Sequence, residues 1–279
     1  MTFSIKVTSN HGTSHPIAAR MLFQSSELIK WADISQEKQE NILSIIYVLQ
    51  RRLLKCDDLY AKLANAFVET VEKNMESSDS RVKYVPHVIG LENDIETILY
   101  EWKNFLRDLL GVINIFFDTK FDSASAFCLS KNKQDGKLSK WAAREFGADS
   151  SFTQMLKSEQ TWIGEVVRKR NAVEHPSGHS GVLFITNFEL LPDGKVMIPT
   201  WRCDDAQPTS IFQDIEITID NLLTLTEDIL VNCILQKNKF GDLVAFAEIP
   251  EGERSENCPI RIRVVPGQRM VEQLPKTSS

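Results

Sequence analysis

The chain has 279 residues, with 32 Lys plus Arg against 38 Asp plus Glu, a formal net charge of −6, 42% apolar and 25% charged residues. These proportions exclude disordered, collagen-like and coiled-coil chains, and the length suffices to bury a core without disulfides or metals. The acidic balance excludes a protein whose whole surface binds nucleic acid but leaves room for a local basic patch.

Thr2 to Ser9 alternates as a short strand does, and Pro16 to Trp31 reads as a helix with proline in its first turn. Ser35 is a cap for a stronger signal. Ile42, Ile45, Ile46, Leu49, Leu53, Tyr60, Leu63, Phe67 and Val71 recur at helical steps as far as the Ser77–Ser80 cluster. Leu91, Ile95, Ile98, Trp102, Phe105, Leu109, Val112 and Phe116 then form the most apolar stripe, which Leu99, Leu106, Leu110 and Ile113 widen as in a central bundle helix. Asp118 to Gly136 reads as loop, with Lys131, Lys133 and Lys137 in a small basic stretch, and a short helix runs from Leu138 to a stop at Gly147. Another spans Ser158 to His175 and meets Pro176.

The period then changes. Val182, Phe184 and Thr186, a Pro192-Asp193-Gly194 turn, and Val196, Ile198 and Trp201 predict a hairpin. Helix returns over Ile211 to Leu235, two short strands follow at Leu243–Ile249 and Ile260–Val265, and Leu274–Ser279 reads as a frayed end. The expected fold is mainly α, a helical bundle with an inserted β-hairpin and a short β-containing C-terminal segment. Its parts are an N-terminal extension (1–35), the bundle (36–240, hairpin at 182–201) and a tail packed on the bundle (241–279). Five cysteines, odd in number and without a Cys-x-x-Cys pair, point to a reducing compartment. The longest apolar run, Ile42–Leu49, is far short of the roughly 20 residues of a membrane helix. The expectation is therefore a cytoplasmic protein with no membrane partner.

Polarity breaks the pattern in one place. On a wheel with Arg170 at the origin, Ile163, Val166, Val167 and Val173 fall within about 60° on either side. Arg170 thus stands where a leucine is expected, with Asn171 and His175 on one flank and Arg168 and Lys169 turned to solvent. An arginine on a buried face is costly unless paired or open to a cleft. The helix end beside Pro176 offers free carbonyls and the negative dipole end, which favour cations. A donor fork, an amide and a titratable imidazole within a turn and a half suit a phosphate ester. RNA supplies its own nucleophile, the 2′-hydroxyl. A plainer reading stands beside it, in which Arg170 pairs with Glu174 four residues on and is purely structural.

At Arg170-Asn171-Ala172-Val173-Glu174-His175-Pro176 the chain resembles the HEPN superfamily, helical bundles with an Arg-x4–6-His motif whose second residue is often Asn. Trp162-Ile163-Gly164-Glu165-Val166-Val167 before the motif is similar in style, and so is the order of helices from Gln36 to Lys237. The hairpin and the β tail depart from a minimal member. The resemblance implies metal-independent endoribonuclease activity leaving a 2′,3′-cyclic phosphate and a 5′-hydroxyl. It implies His175 as acid and base, Arg170 as phosphate and transition-state stabiliser, and Asn171 as an orienting donor. It further implies a homodimer with two motif helices facing one site, RNA as substrate, no cofactor, and a toxin or defence role with an antitoxin or other protein partner. Many relatives are non-catalytic interaction modules, and that reading stays open.

Other motifs carry less. His11 and His15 have metal-pair spacing but lie in a turn with no carboxylate beside them in the sequence. No P-loop, dinucleotide fingerprint or nucleophile elbow occurs. Arg261 and Arg263 alternate with Ile260 and Ile262 and read as protective charge on one face of an edge strand.

Overall fold

A computed structural model describes residues 11–76, 85, 87–130, 132, 134–192 and 195–267. The predicted Thr2–Ser9 strand, Lys131, Lys133, Asp193, Gly194 and the Leu274–Ser279 end lie outside these residues. The fold is mainly α, with a few small antiparallel sheets. Among the described residues no helix is long and apolar enough to cross a membrane.

Two compact units make up the chain. The first comprises the chain up to Gln50, Gly111–Lys120 and the chain from Leu223; the second comprises Arg51–Leu110 and Phe121–Leu222. Three long helices supply both: α3 (Gln36–Glu76), α4 (Leu91–Phe117) and α8 (Ile211–Gln236). Ser35 does cap α3, its hydroxyl accepting the Lys38 amide at 3.3 Å.

In the first unit the expected helix over Pro16–Trp31 is broken into α1 (Pro16–Ala18), a π turn (Ala19–Gln24), α2 (Ser25–Leu28) and a 3-10 turn (Ile29–Trp31). Its buried face is not purely apolar. Arg20 and Gln24 are buried and both donate to Glu227 of α8, which is 1% exposed. A π turn is rare and occurs mostly as a single-turn bulge within an α-helix, as it does here. The tail strands β6 (Val244–Glu248) and β7 (Ile262–Pro266) pair antiparallel, and the Gln24 side-chain oxygen accepts the amides of both Arg261 and Ile262. Arg261 corrects the sequence reading. The strand begins at Ile262, two residues later than expected, and the Arg261 guanidinium is drawn inward to Glu227 and Asp228, while Arg263 stays exposed.

Within the second unit, α4 contributes Leu91, Ile95, Ile98, Leu99, Trp102, Phe105, Leu106, Leu109 and Leu110 to the core, the set its periodicity marks out. Burial of such side chains stabilises by roughly 1.5–3 kcal/mol each, which is what holds these helices together. α5 (Lys137–Phe146) ends at Gly147, whose φ of 94° suits glycine. α6 (Ser151–Ser158) is a separate helix that the sequence reading left out, capped by the Ser150 hydroxyl on the Thr153 amide. α7 (Gln160–Glu174) follows at once.

The hairpin is present but broken into two ladders. β1 (Leu183–Thr186) pairs with β4 (Thr200–Cys203), and β2 (Glu189–Leu190) pairs with β3 (Val196–Met197). A third strand, β5 (Thr209–Ser210), adds to β4 and leads straight into α8.

Candidate active site at the end of α7

α7 buries Ile163, Val166 and Val167 of the stripe read from the sequence, leaves Val173 half-buried, and also buries Ala172 on the opposite side of the helix. Arg170 falls inside that stripe with its side chain only 12% exposed. Its guanidinium lies over the Tyr100 ring of α4, 4.6 Å from the centroid. A pairing of this kind contributes about 0.5–1 kcal/mol or more as water is excluded. Arg170 Nη1 donates to Glu174, the i,i+4 ion pair of the plainer reading. Its Nε is buried and has no hydrogen-bond partner among the described residues, which costs stability.

Pro176 does what its ring requires of the residue before it. His175 leaves the helix with φ −131° and ψ 70°, while its amide still closes the last turn on the Asn171 carbonyl at 2.9 Å. The imidazole is 71% exposed, with Nε2 3.4 Å from Glu174 Oε2. The following loop is pinned in two places. Gly178 donates its amide to the His175 carbonyl at 2.9 Å, and Gly178 bridges to Gly181. Gly181 has φ 79°, and a Cβ there would lie 1.9 Å from Asp204 Oδ2. Asp204 accepts the Val182 amide at 2.8 Å and an Arg168 guanidinium nitrogen at 3.2 Å. The end of the loop that carries His175 away from the helix is therefore tied to Asp204, just past β4, by its carboxylate and by its amide, which donates to the Val182 carbonyl at 2.9 Å.

One residue of the site was not read from the motif. Lys103 of α4 donates to Asn171 Oδ1 at 2.6 Å, and its ammonium stands 3.8 Å from Glu174 Oε2. Burial, with the Arg170 charge behind it, holds the Lys103 ammonium below the ordinary lysine range. A signal for it existed in the sequence. Tyr100, Lys103 and Arg107 form a polar stripe at steps of three and four on an otherwise apolar helix. Two of these three, Tyr100 and Lys103, meet α7.

Lys169 contradicts the expectation of a solvent charge. It is largely buried, 3.0 Å from Asp214 Oδ2 and 4.1 Å over the Trp201 ring. α7 packs on two sides, and the side that the wheel assigns to solvent faces Trp201 of β4 and Asp214 of α8. Asp214 also accepts the Trp201 indole and the Thr209 hydroxyl. Burial opposes its charge, but these donors and Lys169 outweigh burial and hold its carboxyl below the usual range. Arg168 is half-exposed and spent on Asp204. His11 and His15 are ring neighbours at 4.5 Å, and His15 accepts the Ile17 amide as the cap of α1.

All three predicted site residues thus meet at one helix end, joined by Lys103, Tyr100 and Glu174. No family model, no curated protein and no solved structure matches the chain. The site must be read from its chemistry.

Proposed function

We propose that the chain is a metal-independent endoribonuclease of HEPN type, acting in defence or as a toxin with a protein partner. One observation carries the reading. An exposed imidazole, a guanidinium fork and an ammonium converge at a helix end, with an amide held between them. Arg170 and Lys103 are donors for the non-bridging oxygens of a phosphodiester, and fixed donors that meet developing negative charge are often the largest catalytic contribution.

The 2′-oxygen attacks the adjacent phosphorus and the bond from phosphorus to the 5′-oxygen breaks. The products are a 2′,3′-cyclic phosphate and a 5′-hydroxyl. One proton leaves the 2′-oxygen and one reaches the 5′-oxygen. His175 is exposed enough to reach a reacting oxygen and serves as acid or base. Its counterpart in a second copy of the chain supplies the other proton transfer, which is why a homodimer belongs to the proposal. Lys103 holds Asn171 through its side-chain oxygen, leaving the Asn171 amide nitrogen as the orienting donor.

The Arg170–Glu174 ion pair favours a second reading, a non-catalytic interaction module in which Arg170 only supports the fold. Cleavage of RNA in EDTA by wild type, lost in His175→Ala, separates the two.

A further inference from the structure

Three cationic or protonatable groups meet at one atom. Arg170 Nη1 pairs with Glu174 Oε2, His175 Nε2 lies 3.4 Å from it, and Lys103 Nζ lies 3.8 Å from it. We propose that Glu174 Oε2 occupies the place of a phosphate oxygen, so that Glu174 holds the anion site closed and a phosphodiester enters by displacing it. The inference rests on the ribonuclease reading for the identity of its ligand, the RNA backbone.

Two features make Glu174 displaceable while the rest stays put. It is the last residue of α7, and its side chain is one-third exposed, so it can swing to water by rotating its own χ angles. Each partner it has among the described residues is one of the three groups named. The two cations are held without it: Lys103 is bonded to Asn171 and Arg170 is stacked on Tyr100, while the backbone of His175 is fixed by bonds to Asn171 and Gly178. The cationic part of the cradle is thus assembled before a ligand arrives, which lowers the ordering cost of binding.

The charge balance also fits. Lys103 and Arg170 against Glu174 leave one positive charge in the closed site with a neutral imidazole. With the carboxylate turned out, two positive charges face the single negative charge of a phosphodiester. A chain of net charge −6 repels RNA in general, and an internal competitor adds a local threshold that only a well-seated backbone crosses.

The test uses two probes, inorganic phosphate followed by the His175 ring resonances, and an uncleavable 2′-deoxy oligonucleotide followed by fluorescence anisotropy at one fixed salt concentration. Glu174→Gln is expected to tighten both about fivefold, the scale of a partly exposed ion pair. Glu165→Gln makes the same charge change on the same helix, away from the cluster, and is expected to change them by less than about twofold. Lys103→Met added to Glu174→Gln is expected to return affinity to the wild-type level. Glu174→Asp keeps the charge but draws it back by one methylene, and is expected to lie between wild type and Glu174→Gln. This variant also keeps the test open should Glu174→Gln unfold. Equal or weaker binding by Glu174→Gln, or an equal gain in Glu165→Gln, overturns the proposal. Tighter phosphate binding with no cleavage by any variant keeps the gate and sinks the nuclease. Cleavage by wild type without tighter binding in Glu174→Gln does the reverse.

Discussion

Replacing Arg170 by leucine separates a functional arginine from a structural one. Arg170→Leu removes an i,i+4 ion pair worth about 0.3–0.5 kcal/mol at a helix surface and up to about 1 when partly buried. It also removes a stack on Tyr100 worth about 0.5–1 kcal/mol. Against these losses it abolishes the buried, unpartnered Nε, whose desolvation costs about 1–3 kcal/mol, and it places an apolar side chain of equal helix propensity in an apolar stripe. Glu174 is left at the helix end, exposed enough to be solvated. The losses and the gain nearly cancel. The variant is therefore expected to be between unchanged and about 1 kcal/mol more stable, with a melting temperature unchanged or raised by up to about 4 °C. RNA cleavage in the same preparation is expected to fall by at least about a hundredfold, the effect of removing one oxyanion donor. Calorimetry and urea unfolding provide the first readout, and a labelled-RNA assay in EDTA provides the second. A stability loss of about 2 kcal/mol or more would refute the reasoning, because it would mean that Arg170 is retained for the fold.

Two other perturbations follow from the frame around the site. Asp214→Asn leaves the largely buried Lys169 without its charge partner and is expected to cost about 2 kcal/mol in urea unfolding. Because the folded state holds the Asp214 carboxyl below its unfolded value, its contribution is complete above the ordinary aspartate range. It is lost as pH falls through the folded value, so acid unfolding of wild type should steepen there and that of Asp214→Asn should not. Gly181→Ala combines a φ of 79° with a Cβ placed against the Asp204 carboxylate, and is expected to cost about 2 kcal/mol and to shift the His175 resonances, as seen by NMR.

How far the sequence could be read depended on which distances a contact spans. The long helices follow from periodicity, since a wide stripe such as Leu91–Phe116 admits one register. The site on α7 was legible because Arg170, Asn171, Glu174 and His175 lie within six residues and one proline sets the helix end. Lys103 is 68 residues from Asn171, and only packing of α4 on α7 joins them. Lys169 was misread for the same reason. A wheel describes one helix and one buried side, whereas Trp201 and Asp214 come from β4 and α8 to bury the other. Arg20 and Gln24 show the converse case. Their burial is written in Glu227, about two hundred residues away, and no local pattern reports it.

The central claim is that His175 does chemistry on RNA. Its most direct test is cleavage of a mixed-sequence RNA in EDTA by wild type and by His175→Ala, with the ends of the products identified. Truncating an exposed imidazole at a helix end leaves folding within about 0.5 kcal/mol of wild type, so a difference reports on the site. The account predicts fragments with 2′,3′-cyclic phosphate and 5′-hydroxyl ends from wild type and none from His175→Ala. Equal cleavage by both proteins, or no cleavage by wild type on any RNA, contradicts it.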